Sequence, residues 1–129
     1  MPSRHQDWLR QAIKDLEHAV SSVVAGDYEW ACFAAHQSAE KAVKAVYQKI
    51  GAEAWGHSIT ELLSKLPGKR KPALVLDASK ELDRHYIATR YPDFLSAGAP
   101  ADYYTKKDAK RAIKNAETVL NYCKDILLS

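Results

Sequence analysis

Four alanines, Ala31, Ala35, Ala39 and Ala42, recur at steps of four and three and are continued by Val46 and Ile50. Only an α-helix places such positions on one stripe. Side chains this small let a neighbouring backbone approach closely, so the segment from Tyr28 to Ile50 reads as the central helix of the fold. Asp27 stands at its start and Gly51 at its end, where a helix takes a cap and a left-handed stop. A second periodic segment, from Arg4 to Ala25, carries Leu9, Ile13, Leu16, Val20 and Val23 on one stripe. Ser3 and Gln6 fit a capping box for it, and Gly26 fits a stop. The link Gly26-Asp27 is so short that the two long helices must fold back as an antiparallel hairpin.

Downstream, Ser58 and Glu61 fit another capping box, opening a short helix from Ile59 to Leu66 that Pro67-Gly68 ends. Lys69-Arg70-Lys71 reads as an exposed basic turn. Pro72 suits the first turn of a further helix carrying Leu74, Leu76, Ala78, Leu82, Tyr86 and Ile87. That helix must end near Arg90 or Tyr91, because Pro92 disfavours helical geometry in the residue before it. Residues 93–104 read as a loop with Gly98 and Pro100. Thr105 and Asp108 cap a last helix with Ala109, Ala112, Ile113, Ala116, Val119, Leu120, Cys123, Ile126 and Leu127 on its core face. The expected fold is all-α: an up-down four-helix bundle with one additional short helix, forming a single domain over residues 1–129.

Composition fits this reading. Apolar residues make up 47% and charged residues 27% of the 129 positions, the balance of a globular domain rather than of a disordered chain. No apolar run approaches the roughly 20 residues that cross a bilayer. The N-terminal residues are polar and run straight into the first helical pattern, unlike a signal peptide, so a cytoplasmic location is expected. Cys32 and Cys123 then read as small core residues rather than a disulfide. The net charge of +3 permits an anionic partner without demanding one. No zinc-type spacing, phosphate-cradling glycine loop or nucleophile elbow is present, so no metal and no cofactor is expected.

Three stretches carry candidate chemistry. From Leu82 to Asp93, helical spacing puts Asp83, Tyr86 or Ile87, and Arg90 on one face, and Tyr91-Pro92-Asp93 breaks the helix. Arg90 then either pairs with Asp83 or Asp93 to pin the turn, or joins Tyr86 and Tyr91 in a phosphate-and-ring site. A guanidinium offers a planar fork to phosphate, and tyrosines stack a base. On the central helix, Gln37, Glu40, Lys41 and Lys44 are helical neighbours, and His36 stands one turn from Glu40. They form either a solvated face or a charged groove. Lys106, Lys107, Lys110, Arg111 and Lys114 crowd the start of the last helix. A solvated charge run accounts for them better than nucleic-acid contact. His57 precedes the third helix as either a structural residue or a base.

Taken together, these stretches resemble the HEPN domain, the helical "higher eukaryotes and prokaryotes nucleotide-binding" family. The resemblance rests on Trp8, Ala12 and Asp15-Leu16, on Tyr28 to Phe33, on Gln37 to Ala45, on His57-Ser58-Ile59 with Leu62-Leu63, and on Leu82-Asp83 with Tyr86 to Asp93. It implies a bundle that commonly dimerises and pairs with a minimal nucleotidyltransferase, sometimes as a toxin–antitoxin couple. It further implies nucleotide binding in some members. In others it implies metal-independent RNase activity through an arginine followed, after about four to six residues, by a histidine. No arginine here has a histidine at that distance; the nearest pair, Arg10 and His18, has seven residues between. Arg84 and His85 are adjacent and diverge by about 100° on a helix.

The expected function is therefore a non-catalytic nucleotide-binding and interaction module, homodimeric and partnered by a nucleotidyltransferase. The expected ligand residues are Arg90, Tyr86, Tyr91, Asp93, Asp83, Gln37, Glu40, Lys41 and Lys44, gathered in one groove between the second and fourth helices. RNA is a less favoured ligand. The alternatives are an RNase with a divergent site, using Arg90 or Arg84 with His57 or His85, and a purely structural dimerisation bundle. Trp30, Phe33, Trp55, Phe94 and Tyr104 exceed what a thin bundle readily buries and are candidates for a self-complementary patch.

Overall fold

The computed structural model describes residues 3–68 and 71–129, and among them every regular element is helical. Helix α1 (His5–Ala25) turns through Gly26 into α2 (Tyr28–Ile50), and short α3 (Ile59–Lys65) follows. Next come α4 (Ala73–Asp83), α5 (His85–Ala88), a single 3-10 turn (Pro92–Phe94), α6 (Pro100–Tyr103) and α7 (Lys106–Leu128). Helix α2 packs against α1 and α7, and α4 packs against α7, which gives the four-helix bundle with α3 inserted midway. Lys69 and Arg70 of the expected basic turn lie outside the described residues; the Lys71 ammonium donates to the Leu66 carbonyl.

The alanine stripe sets the packing. Ala31, Ala35, Ala39 and Ala42 have no exposed surface, and Ser38 Oγ donates to the Ala12 carbonyl of α1 at 2.6 Å. A hydroxyl reaches a carbonyl of the next helix only where the two backbones run close. That proximity explains a correction to the expected face of α1. Its buried positions are Ala12, Ala19 and Ser22, while Leu9, Ile13, Leu16 and Val23 are partly covered and Val20 is exposed. The smallest side chains take the seam, and the branched ones are turned to its flanks. Ile50, at the end of α2, is likewise exposed.

The caps depart from expectation in part. Arg4, not Ser3, caps α1, and the Ser3 hydroxyl instead lies 2.9 Å from His5 Nδ1 and donates to the Gln48 carbonyl. Asp27 caps α2 by position but makes no side-chain bond. Ser58 Oγ accepts from the Glu61 amide, whereas the Glu61 carboxylate pairs with Lys65. The reciprocal box of Thr105 and Asp108 forms in full. Gly26 and Gly51 take the left-handed conformation that ends α1 and α2.

The helix expected to run unbroken to Arg90 is interrupted at Arg84, whose amide bonds the Glu81 carbonyl in a tighter turn. Asp83, immediately before the break, is held by α3. Residues 93–104 are not a plain loop, since they contribute to the 3-10 turn and contain α6. Cys32 and Cys123 are free and buried, and burial pushes both thiols up to about 12. Among the described residues no helix is long and apolar enough to cross a membrane.

Because Ala12 sits on the α1–α2 seam, Ala12→Leu must push the two helices apart. Overpacking of this kind costs about 1–3 kcal/mol, to be read as a lower urea midpoint. Val20→Ala, at an exposed position, leaves that midpoint within about 0.5 kcal/mol of the parent.

Candidate ligand-binding site

The site is organised around Asp83. Its Oδ1 accepts from His36 Nε2 at 3.1 Å and from the Ile59 amide at 2.9 Å. Its Oδ2 accepts from Ser58 Oγ at 3.1 Å, the Thr60 amide at 3.0 Å and Thr60 Oγ1 at 2.7 Å. Burial pushes the Asp83 carboxyl up, but the bonds from His36, Thr60 and Ile59 outweigh it and hold the group below its ordinary value of 3.8. A carboxylate from α4 thus caps the N-terminus of α3 and clamps the buried His36 of α2. With five internal donors its oxygens are taken, so Asp83 positions other groups.

What it positions is His57, which immediately precedes the cap residue Ser58. The imidazole stacks on Tyr86, with centroids 4.8 Å apart and planes 18° from parallel. Its Nδ1 faces both oxygens of Glu40, at 3.1 and 3.2 Å. Glu40 is buried and also accepts from Lys44 Nζ at 3.0 Å. Although His36 stands one turn from Glu40, the two do not pair: His36 turns to Asp83 and Glu40 to His57. When Nδ1–H is donated to Glu40, the neutral ring presents Nε2 as an acceptor, and about half of this side chain is exposed.

On the same tyrosine lies Arg90. Its Nε and Nη2 donate to the Tyr86 carbonyl at 2.9 and 2.6 Å. Its guanidinium carbon lies 4.2 Å from the centre of the Phe33 ring, 4.8 Å from Tyr86 and 5.3 Å from Tyr91. Among the described residues no carboxylate lies within ion-pair distance of it. Neither ion pair considered for Arg90 forms. Asp83 is saturated, and Asp93, in the 3-10 turn, makes no such contact. The cation is held instead by ring faces and by the Tyr86 carbonyl, both of which favour positive charge without neutralising it.

Between Ala31 and Gln48 the only residues of α2 that are not buried are Phe33, Gln37, Lys41, Lys44 and Gln48. They form one stripe, the floor of a groove. A hollow of about 260 Å³ is lined there by Asp15, His18, Trp30, Phe33, Gln37 and Lys41. Phe33 borders this hollow and also carries the Arg90 guanidinium, so one ring links Arg90 to the hollow that Lys41 lines. Lys41 pairs with Asp15, and the Gln37 amide lies 3.1 Å from His36 Nδ1. Of the expected ligand residues, Gln37 and Lys41 line this hollow, Tyr86 and Tyr91 lie against Arg90, Lys44 pairs with the buried Glu40, and Asp93 makes no ion pair with Arg90 among the described residues.

Sequence spacing missed Phe33 as a platform and Glu40 as the partner of His57, since both meet their partners across elements far apart in the chain. His85 is turned inward to the Tyr104 hydroxyl at 3.2 Å, and burial lowers its pKa while raising that of Tyr104 to about 12. Lys106, Lys107, Lys110 and Lys114 are exposed, and Arg111 pairs with Glu81 at 2.7 Å.

The model of the family described as HEPN domain matches residues 5–126. The crystal structure of TT1696 from Thermus thermophilus is 44% identical, covers 97% of this chain and 99% of its own, and superposes with a TM-score of 0.94. That of ST0689, an archaeal HEPN homologue, is 43% identical over 96% of this chain and 98% of its own, with a TM-score of 0.82. A Methanocaldococcus jannaschii protein named "Putative toxin MJ1304" is 29% identical over 93% of this chain and 86% of its own length.

Asp83→Ala strands five donors and is expected to cost roughly 3 kcal/mol of stability. Its carboxyl titrates lower in the folded protein than in the unfolded chain. Its contribution is therefore whole above about pH 4 and is lost as the pH falls through the folded-state value. Chemical denaturation across the acid range checks this: Asp83→Asn flattens the acid limb, and an unchanged limb contradicts it.

Proposed function

The chain belongs to the HEPN family, and from that premise we propose that it is a nucleotide-binding interaction module whose anion site is Arg90. The observation that carries this reading is a half-buried guanidinium with no counter-ion among the described residues, fixed on three aromatic rings, one of which, Phe33, also lines a hollow. A phosphate supplies what Arg90 lacks, because its oxygens accept charge-assisted bonds from the part of the fork not spent on the Tyr86 carbonyl. Lys41 and Lys44 each spend one bond on a carboxylate and keep further donors for phosphate oxygens. Phe33 and the tyrosines offer ring faces to a base. His57 and Glu40 border the anion, and Asp83 holds the wall they stand on.

The Methanocaldococcus jannaschii relative, whose name is "Putative toxin MJ1304", supports placing the chain in a toxin–antitoxin pair, and the partner proposed for it is a minimal nucleotidyltransferase. The module acts there as a homodimer. The exposure of Trp30 and Phe94, Phe94 at 68%, supports a dimer contact through these aromatics, whereas Tyr104 is packed against the core and is not part of it.

One observation favours a second reading, a metal-independent RNase. His57 is oriented by a buried carboxylate in the way a general base is, and it shares Tyr86 with the cationic Arg90. In that reading Nε2 takes the proton of a ribose 2′-hydroxyl and Arg90 holds the phosphate.

AMP decides the first reading. At a hundredfold excess over its Kd it stabilises the protein by about 2.7 kcal/mol, seen as a raised melting temperature that Arg90→Ala abolishes. No shift in the parent protein refutes it. Incubation of excess protein with single-stranded RNA in EDTA decides the second: cleavage that His57→Ala removes supports it, and intact RNA ends it. Light scattering at micromolar concentration is expected to give a dimer that Phe94→Lys splits, and a monomeric parent contradicts the dimer.

A further inference from the structure

The floor stripe of α2 extends well beyond the Arg90 end. From Phe33 to Gln48 it runs roughly 22 Å at about 1.5 Å per residue, more than a mononucleotide covers. Three hollows lie along it in order. The first is the 260 Å³ hollow beside Phe33, which shares Lys41 with a second of about 590 Å³ lined by Arg4, Asp7, Trp8, Arg10 and Gln11. The second shares Trp8 with a third of about 340 Å³, closed by Lys44, Tyr47, Gln48, Glu53 and Trp55.

The third hollow is unusual in its walls. Trp8, on α1, is partly buried against the core, whereas Trp55, in the segment between α2 and α3, is 78% exposed. An indole this exposed has no packing role in the fold. Here it faces a recess whose other wall is a second indole. The Gln48 amide nitrogen donates to no acceptor and the Glu53 carboxylate accepts from no donor among the described residues, so the rim offers both halves of a base-edge hydrogen-bonding pattern. Lys44 and Lys41 lie between this recess and Arg90, where the linking phosphates of a strand would run. Aromatic platforms separated by cations are the arrangement that holds single strands.

We infer that the Trp8–Trp55 recess is a second base-stacking subsite, and that the ligand filling the whole groove is a short single-stranded oligonucleotide with one end at Arg90. The inference rests on the nucleotide reading of the Arg90 site and adds to it a ligand of defined length and two ring contacts.

Titration of the full chain with AMP and with the 5′-phosphorylated deoxytrinucleotide p(dA)3 tests it, using calorimetry and quenching of indole fluorescence. The deoxy probe lacks the 2′-hydroxyl, so binding is read free of cleavage. The expected result is that p(dA)3 binds about tenfold more tightly than AMP. Trp55→Ala, a surface change, removes that advantage and leaves AMP affinity as it was, and Trp55→Phe restores most of it. Equal affinities for the two probes, or a Trp55→Ala protein that keeps the tenfold preference, overturn the second subsite while leaving the Arg90 site standing. Failure of AMP to bind the parent protein overturns the Arg90 site. Tight binding of p(dA)3 that survives Arg90→Ala but not Trp55→Ala keeps the recess and removes Arg90 from the strand's path, which contradicts the inference as stated.

Discussion

A single carboxylate fixes the geometry of the groove. Asp83 draws together three elements that share no sequence neighbourhood: α2 through His36, the start of α3 through Ser58, Ile59 and Thr60, and α4, which carries it. Burying a charge is costly unless it is fully hydrogen-bonded, and five donors meet that condition here. The consequence reaches the site at two points. The start of α3 is pinned so that His57 lies on Tyr86, and the chain after Asp83 breaks and restarts so that α5 and the turn after it present Tyr86 and Arg90 toward α2.

From that frame the electrostatics follow. His57 and Lys44 share the buried Glu40, and Lys41 is matched by Asp15. Arg90 differs from them in having three rings and one carbonyl for company and no acid within ion-pair distance among the described residues. A cation held in that way is prepared for an anion before one arrives, since the ordering cost of the side chain has been met by the fold. The same rigid frame serves either the binding reading or the hydrolytic one; they differ in whether His57 acts on a proton or only lines the wall.

Much of the fold was legible in the sequence because it depends on local pattern. The alanine stripe of α2, the glycine stops and the Thr105–Asp108 box are each written within a few consecutive turns. The Ser3 cap and the face of α1 were not, because they depend on how closely α1 approaches α2: Ser3 turns to Gln48, and Ala12 takes the seam in place of the leucines. The unbroken fourth helix failed for a similar reason, since the hold of α3 on Asp83 is a tertiary one. For the site, Arg90, Tyr86, Gln37 and Lys41 were marked by residue type and helical spacing. Phe33 beneath Arg90 and Glu40 behind His57 were not marked as partners, because nothing local distinguishes a phenylalanine that packs from one that carries a cation. Their pairing becomes visible only once α2 and α5 lie side by side.

The central claim is that the Arg90 guanidinium awaits a phosphate. Proton–nitrogen correlation NMR of the arginine side chains during titration with AMP tests it most directly. The account predicts a saturable shift of the Arg90 Nε–H signal, accompanied by the His57 ring, while Arg111, engaged with Glu81, stays unmoved. A titration in which Arg90 and His57 remain still, or in which only the lysine-rich start of α7 responds, would contradict it.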